Sequence, residues 1–304
     1  MKKLLFLTIL LIMFMCNISA HTLALEEPII SFSKPSGYDL QGYTVVNNNI
    51  FIILVDYDDS SSIIKVYNLD SHSSLKEFKF DSLGHANDVT YNNKSNTIYV
   101  LHAGGTKTIS SFDGDSFEYI NTFNIDYPAR SLSYVEDVDG YVIRNFAMSY
   151  KLDNTFSCIG ECLFMIIPDL KYETCRQGWA YYDGYLYYAN WSWIKQGGDG
   201  SNTIKRYDLD GNFIDDINTD TNIGELEDVS FYNNKMILGF SGYDKIIKFY
   251  ETDIPNINKE KALVVDEIKE ETNEEVNLLY YLVIPLLLVF SILIVIFIIK
   301  KHKV

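Results

Sequence analysis

The stretch RQGWAYYDGYLYYANW, from Arg176 to Trp191, decides the fold because LQGYTVVNNNIFIILV, from Leu40 to Val55, has the same layout. In both stretches Gln-Gly leads into a run of aromatic and β-branched residues, a turn follows, and a second such run begins. Residues of these types favour β-strands, and Asp-Gly or Asn-Asn between two strands is typical of a tight hairpin. The match therefore predicts that the chain repeats itself.

Five copies of the opening motif recur along the chain. Each copy has a polar residue, then a small or acidic one, a hydrophobic one, a Thr, Ser or Ala, and a second hydrophobic one. The copies are Gln41-Gly42-Tyr43-Thr44-Val45, Asn87-Asp88-Val89-Thr90-Tyr91, Arg130-Ser131-Leu132-Ser133-Tyr134, Gln177-Gly178-Trp179-Ala180-Tyr181 and Glu227-Asp228-Val229-Ser230-Phe231. Their starts are 46, 43, 47 and 50 residues apart. We refer below to the first to fifth positions of this motif.

Further strand patterns follow each opening motif. A second strand comes after a short turn in every copy, and Ile64–Asp70 matches Ile204–Asp210 as a third strand. Four short antiparallel strands at this period are typical of a propeller blade. The sequence therefore predicts an all-β fold, a five-bladed β-propeller over residues 28–255, with blades opening near residues 41, 87, 130, 177 and 227.

Two parts of this prediction are less regular. In blade 3 we place the second strand in YVIRNFAM and the third strand in CLFMIIPDL. Blade 5 lacks an obvious fourth strand, which either PIISFSK (Pro28–Lys34) or ALVVDEI (Ala262–Ile268) would supply. The first choice closes the ring with the amino terminus and so removes exposed sheet edges.

Both ends of the chain have the pattern of targeting segments. Residues 1–20 have a basic start, an apolar run and small residues at the end, which predicts a signal peptide cleaved after Ala20 or Ala24. Residues 278–299 are 22 uncharged residues, enough to span about 30 Å of hydrocarbon as a transmembrane helix. An acidic stalk, 256–277, precedes this helix, and a basic cytoplasmic tail, 300–304, follows it. We therefore expect a single-pass protein of the cell membrane, with the propeller exported.

The exported part is strongly acidic. Five of the 25 Lys and Arg residues lie in the two end segments, which contain no acidic residues, so 20 basic residues face 41 acidic ones elsewhere. Such a surface repels phosphate backbones, and we expect no nucleic acid partner. Cations or basic partners fit this charge better, although net charge of this kind also serves solubility.

Polar residues at the openings of the blades form the candidate site. The innermost strand of each blade lines the central channel, so equivalent positions form a ring, and convergent polar groups in a concavity are a candidate ligand site. The predicted ring contains Gln41, Asn87, Arg130, Gln177 and Glu227, with Asp88 and Asp228 one residue on and His85 and Glu225 two residues before. The alternative is that these residues are polar because the channel is wet.

The acidic members of this ring allow one alternative involving a metal. Oxygen ligands from Glu225, Glu227, Asp228 and Asp88 suit Ca²⁺, whereas no other cofactor is predicted. Arg130 facing Glu227 forms a charge-compensated pair in the same ring. No catalytic residue is predicted, and the sequence contains neither a phosphate-binding loop nor a zinc-protease motif.

The segment LGHANDVTYNNKSNTIYV and the pair Gln-Gly and Glu-Leu-Glu-Asp resemble secreted bacterial propellers. The resemblance is to glutamine-cyclotransferase-like and other lactonase or NHL-type propellers. Gln41-Gly42 resembles the opening strand of the cyclotransferase group, and Glu225-Leu226-Glu227 its late acidic motif. Where that family is expected to carry a glutamate in the second strand of blade 1, this chain has the apolar IFIILV, so the resemblance implies the architecture and not the reaction.

The predicted exported part also contains cysteines and two glycosylation motifs. Three cysteines follow the signal segment, and in an oxidising compartment Cys175 is expected to pair with Cys158 or with Cys162. Asn93-Lys94-Ser95 and Asn190-Trp191-Ser192 match the glycosylation pattern.

Besides a structural surface protein with no small ligand, the sequence leaves two functions from different classes open. The first is a membrane-anchored binding or interaction protein at the cell surface that recognises a protein, a glycan or a small ligand. The second is a propeller enzyme, a hydrolase, lyase or cyclotransferase, with an acidic site at the channel mouth. Propellers host both classes, so the fold alone does not choose between them.

Overall fold

The computed structural model describes residues 21–56, 58, 61–81, 83–102, 106–145, 148–166, 174–192, 200–219 and 223–257. For residues 21, 159–166 and 174–176 this description covers the backbone alone. The chain divides into two units after Pro255, and the second unit lies outside the described residues apart from residues 256 and 257. The predicted signal peptide, most of the stalk, the transmembrane helix and the tail are therefore outside the description. Within the described residues no helix is long and apolar enough to cross a membrane.

In the part of the chain that the structure describes, twenty-one strands form five separate sheets. Blade 1 contains β3 (Tyr38–Val46), β4 (Asn49–Asp56), β5 (Ser62–Asn68) and β6 (Ser74–Phe80). Blade 2 contains β7 (Asp88–Asn92), β8 (Thr97–Leu101), β9 (Thr106–Asp113) and β10 (Tyr119–Ala129). Blade 3 contains β11 (Ser131–Val135), β12 (Gly140–Asn145), β13 (Met148–Asp153) and β14 (Cys158–Ile166).

Blades 4 and 5 each recruit a strand from the start of the chain. Blade 4 contains β15 (Thr174–Tyr182), β16 (Tyr185–Ser192), β17 (Asn202–Asp208), β18 (Phe213–Thr219) and, parallel to β18, β1 (His21–Leu23). Blade 5 contains β19 (Gly224–Tyr232), β20 (Lys235–Gly242), β21 (Ile246–Asp253) and β2 (Ile30–Ser33). The first strand of each blade packs beside the first strands of its two neighbours, which closes a ring. The predicted all-β, five-bladed propeller is confirmed.

The ring is closed by the amino terminus, as the first of the two sequence alternatives predicts. Strand β2 pairs antiparallel with β21, with Ile30 opposite Phe249, and so completes blade 5. The other alternative, Ala262–Ile268, lies outside the described residues. Strand β1 is an addition that the sequence did not predict, and Leu23 is buried there among core residues of blades 4 and 5.

The strand assignment within blade 3 was wrong in one respect. The third strand is Met148–Asp153, and the CLFMIIPDL segment instead provides the fourth strand, Cys158–Ile166. The predicted second strand, Tyr141–Met148, thus spans parts of two strands. The sequence misled because Met148–Asp153 lacks the Ile-Lys-x-Tyr pattern that marks the third strand in other blades.

The core consists of one apolar cluster in each seam between neighbouring blades. The cluster between blades 1 and 2 includes Phe51, Val89 and Phe112, and the cluster between blades 5 and 1 includes Tyr43 and Phe249. The cluster between blades 3 and 4 includes Trp179 and Tyr188. Each large apolar side chain buried in these seams stabilises the fold by about 1.5–3 kcal/mol.

The small hydroxyl at the fourth motif position has a structural explanation. In blades 2, 3 and 5 its oxygen accepts a hydrogen bond from the backbone N–H at the fifth position of the next blade. The three bonds join Thr90 Oγ1 to Tyr134 N (2.9 Å), Ser133 Oγ to Tyr181 N (2.8 Å) and Ser230 Oγ to Val45 N (3.0 Å). In blade 4 the fourth position is Ala180, and a bond at a different position, from the Leu226 N–H to Asn202 Oδ1 at 2.9 Å, joins blade 5 to blade 4. The repeat therefore encodes blade-to-blade contacts.

Cysteine pairing is described in part. Cys158, at the start of β14, is disulfide-bonded. The side chains of Cys162 and Cys175 lie outside the description.

The two glycosylation motifs differ in accessibility. Asn93 is exposed in the turn between β7 and β8, whereas Asn190 is buried in β16 with 1% of its surface exposed. Expressed through a eukaryotic secretory pathway, the protein is therefore expected to carry one N-linked glycan, at Asn93. Intact mass before and after glycosidase treatment checks this for the wild type and N93Q. A glycan that persists in N93Q would contradict the burial of Asn190.

Candidate functional site

The candidate site lies at one end of the central channel. In a propeller the first strands run in the same direction around the axis, so their amino-terminal ends meet at one face. We call this end the mouth, and its members are Asp39, Gln41, His85, Asn87, Arg130, Gln177, Glu225 and Glu227. The five first-position residues predicted from sequence are included because each lies just before a first strand or in its amino-terminal half. That their side chains line one site stays a prediction. Asp88 and Asp228, at the second position, lie one level deeper and form a floor.

β-Bulges determine which side chains enter the mouth. The pairing of β3 with β4 skips Gln41, and the pairing of β19 with β20 skips Glu227. In blade 4 the pairing skips Gln177 and Gly178. A bulge re-aims a side chain and is frequent next to functional sites. Since three of the five first-position residues are bulge residues, the repeated motif marks a change in strand direction as well as a strand start.

Asp88 and Asp228 meet across the channel from blades 2 and 5. Both side chains are fully buried, and their carboxyl groups are hydrogen-bonded to each other. Asp88 Oδ1 accepts the Val89 N–H and Oδ2 accepts the Leu132 N–H, both at 2.8 Å. Asp228 Oδ1 accepts the Val229 N–H at 2.7 Å. Because these oxygens accept hydrogen bonds from backbone N–H groups of blades 2, 3 and 5, the acid pair links these three blades.

The pair of Asp88 and Asp228 holds a proton at neutral pH. Burial raises the pKa of Asp88 to about 7, against the opposing effect of its backbone hydrogen bonds. Burial and the negative charge of Asp88 together raise the pKa of Asp228 well above its usual range. Two carboxyl groups in contact cannot both ionise readily, so Asp228 keeps its proton when Asp88 ionises.

Arg144 is the counter-charge of this floor, and sequence reasoning missed it. The side chain is fully buried in β12, and its Nη2 donates to Ser131 Oγ at 2.6 Å and to the Gln177 carbonyl at 3.2 Å. Its guanidinium lies 4.6 Å from the ring centroid of Tyr188. The positive charge acts on Asp88 and favours its ionised form. The sequence signal that could have identified Arg144 was a single arginine within the mostly apolar segment YVIRN.

Gly178 provides the space that the Asp228 carboxyl occupies. A Cβ at this position would lie 2.3 Å from the carboxyl carbon of Asp228, a distance that real Cβ contacts do not show. The small second position of the motif in blade 4 is therefore required by the acid pair.

Gly178→Ala is expected to lower the free energy of unfolding by about 2 kcal/mol through overpacking. In an Asp228→Ala background the same substitution should cost much less, because the clashing carboxyl is gone. Urea unfolding of the two single variants and the double variant forms a cycle that measures this coupling. Additive losses would show that Gly178 does not accommodate Asp228.

Glu225 and its neighbours form the acidic side of the mouth, where blades 4, 5 and 1 meet. Gln177 Nε2 donates to Glu225 Oε1, and Lys34 Nζ lies 3.0 Å from Asp39 Oδ2. Burial, with the negative charge of Asp39, raises the pKa of Glu225 to about 8. Lys34 follows β2, so its ion pair also helps to hold the closing strand. The mouth therefore contains a carboxyl group that is protonated at neutral pH.

Arg130 and His85 form the basic side of the mouth. Arg130 is half-buried, and its backbone N–H donates to the Arg144 carbonyl at 2.6 Å. Burial and the positive charge of Arg130 lower the pKa of His85. His85 is therefore neutral at neutral pH, and Arg130 carries the charge on this side.

The other predicted residues add hydrogen-bonding capacity. Gln41 is buried and donates through Nε2 to the Leu40 carbonyl at 2.8 Å, while Asn87 is half-buried. Glu227 is buried with 3% of its surface exposed. Across the part of the chain that the structure describes, no group of three or more His, Cys, Asp or Glu side chains is arranged to hold a metal ion.

Comparison with known proteins leaves the function open. No protein family matches the sequence, and no curated protein matches it. A hydrazine synthase of Kuenenia stuttgartiensis is similar in structure, with a TM-score of 0.39 and 10% identity over 74% of this chain and 76% of the other. A luciferin-regenerating enzyme gives 0.47 and 10%, covering 74% of this chain and 94% of the other. The WD40 repeats of RRP9 give 0.39 and 10%, covering 71% and 62%. Likenesses this weak carry no conclusion about function.

Proposed function

We propose that this chain is an exported, single-pass membrane protein whose propeller binds a small polar ligand in the mouth. The anchoring rests on the apolar segment 278–299 and the signal-like segment 1–20, and places the propeller at the cell surface. Binding in the mouth rests on the division between floor and mouth. The floor carboxyls are engaged by backbone donors, and each of the five blades supplies a further polar side chain near the amino-terminal end of its first strand.

A small ligand is favoured over a protein or a glycan by the depth of the polar groups. Gln41 and Glu227 are buried at the channel wall, so a partner that contacted only the outer face would not reach them. Concave sites with a few convergent polar groups are typical of small-molecule binding. A protein or a glycan would then bind only by inserting a small polar group into the mouth.

The second candidate is an enzyme that uses Glu225 as a general acid. This candidate is favoured by one observation, the raised pKa of Glu225 of about 8, since a carboxyl group that keeps its proton at neutral pH is able to donate it. Mass spectrometry of a small-molecule extract, incubated with the wild type or with E225Q, distinguishes the two functions. Depletion of a compound by the wild type alone would select the enzyme.

Native mass spectrometry of the full chain in detergent micelles tests the proposed binding function. A small bound mass is expected in the wild type and lost in E225Q, because the amide cannot supply the carboxyl group. The matched control is E77Q, at an exposed glutamate paired with Lys65 on an outer strand, which should keep the bound mass. A bare mass for the wild type, or a bound mass unchanged in E225Q, would overturn the proposal.

A further inference from the structure

Cys158 is disulfide-bonded, and the strand pairing constrains which cysteine is its partner. The chain has four cysteines, of which Cys16 belongs to the predicted signal peptide and lies outside the described residues. Cys162 is on the same strand as Cys158, β14, whereas Cys175 is on β15, the first strand of blade 4. The backbone register of both strands is known, so the two pairings can be compared by distance.

The position of Cys158 relative to blade 4 follows from the pairing within blade 3. A row of register pairs leads from Cys158, on the outermost strand, to Tyr134 on the first strand. Beside that row, Ser133 Oγ accepts the N–H of Tyr181 in blade 4 at 2.8 Å. Cys158 is therefore at the level of Tyr181 along the strands and three strand spacings further out from the channel.

Cys175 is much nearer the mouth than this level. Cys175 and Tyr181 pair with residues of β16 that are five positions apart. Each residue of a strand advances about 3.3 Å, so Cys175 is offset from the level of Cys158 by about 16 Å. A disulfide joins Cα atoms less than about 7 Å apart. The offset therefore excludes Cys175 as the partner of Cys158.

A wide bulge in β14 brings Cys162 close to Cys158. Cys158 and Leu163 are five residues apart on β14, yet they pair with residues only two apart on β13. Two residues of a strand span about 7 Å and five span about 17 Å, so the backbone between Cys158 and Leu163 loops out of the ladder. Cys162 directly precedes Leu163, with about 3.8 Å between their Cα atoms. The bulge therefore allows the Cα separation of about 4.4–6.8 Å that a disulfide requires.

We propose that Cys158 and Cys162 form a disulfide that closes this bulge in the outermost strand of blade 3. When the bond forms, the two thiols lose two protons and two electrons, and a disulfide compound of the oxidising compartment accepts them by exchange and becomes a dithiol. This pairing differs from the one expected from sequence, which involves Cys175. It does not depend on a ligand in the mouth, so it is tested separately from the proposed binding function.

The disulfide also fixes the shape of an exposed sheet edge. Strand β14 is the outermost strand of its blade, and such an edge is able to pair with a strand of another chain. A bulge interrupts the row of backbone groups that the edge offers. Residues 158–162 would need about 13 Å to straighten into a regular strand, whereas the disulfide holds their ends within about 7 Å. The bond therefore keeps the edge of blade 3 interrupted.

Disulfide mapping of the full chain tests the pairing. The protein is exported in an oxidising host, purified in detergent and alkylated in denaturant without a reductant. Trypsin leaves Cys158 and Cys162 in one peptide, 152–171, and Cys175 in the next, 172–176. Peptide 152–171 is expected to be unalkylated, two hydrogens lighter than the dithiol and not joined to peptide 172–176.

Two variants and a second protease make the assignment specific. C175S should leave peptide 152–171 unchanged, whereas C162S should leave Cys158 open to alkylation. A glutamate-specific cut after Glu161 separates Cys158 from Cys162, and only the disulfide then holds the two fragments together. A wild-type peptide 152–171 that is alkylated at both cysteines, or joined to any other peptide, would overturn the inference.

Discussion

Asp88→Asn is expected to lower the free energy of unfolding by about 3 kcal/mol, the larger of two effects in the floor. The substitution turns one acceptor oxygen into a donor that faces either the Val89 or the Leu132 N–H, both at 2.8 Å in the wild type. The substitution also removes a negative charge that acts on the buried Arg144. Loss of a favourable interaction with a buried charge adds to the cost.

Asp228→Asn is the matched comparison and should cost less than about 1 kcal/mol. Asp228 already carries a proton, so its amide NH₂ reproduces the donor that it presents to Asp88, and Oδ1 still accepts the Val229 N–H. The bond from the Tyr43 N–H is long, at 3.5 Å, and its loss has little effect. Urea unfolding of both variants at mildly alkaline pH, where Asp88 is ionised, measures the difference. Equal losses would show that the two carboxyls have no separate roles.

The second large effect is a fall in stability as pH rises from about 4 to about 8. Free carboxyl groups in the unfolded chain have pKa values near 4. Glu225, with a pKa of about 8, and Asp228 keep protons in the folded state that the unfolded chain has released. Their stabilising contribution is therefore full below pH 4 and is lost as pH rises, by about 1.4 kcal/mol per pH unit for each retained proton.

Exposed turn carboxylates act in the opposite direction and in a different pH range. Hydrogen bonds from Ser116 lower the pKa of Asp113, and those from Thr155 and Ser157 lower that of Asp153. Their contribution is present above about pH 4 and is lost below it. The lowered pKa values of His85 and His102 give a contribution that rises with pH up to about 6.5. The slope between about pH 7 and pH 8 therefore reports the buried acids.

The variants E225Q and D228N should each remove part of this slope, since neither amide titrates. Urea midpoints at a series of pH values give the slope for the wild type, for both variants and for the control E77Q. A wild-type stability that is constant or rises through this range would contradict the protonated state of the central acids.

The fold was predictable because the repeat has a physical cause that is local in sequence. Thr90, Ser133 and Ser230 bind the next blade through a side chain and a backbone N–H, so the same residue type must recur at the same phase. The predicted glutamine-cyclotransferase or NHL type is not established by this architecture. Strand β1 was missed because three residues carry no periodicity that a pattern could detect.

The residues of the candidate site stay a prediction from the repeated motif. What the motif did not predict is the set of bulges at Gln41, Gln177 and Glu227, which lie between the mouth and the floor. Bulges depend on how two strands pair, and this pairing cannot be predicted from the sequence of one strand alone. Arg144 was missed for a similar reason, since its role depends on a carboxyl pair supplied by blades 2 and 5.

Native mass spectrometry of the full chain, with E225Q and D228N compared, tests whether the mouth binds the ligand while the floor holds the blades together. The predicted result is a bound mass that is lost in E225Q and retained in D228N, with both proteins folded. A bound mass that is retained in E225Q and lost in D228N would contradict it and place the ligand at the acid pair.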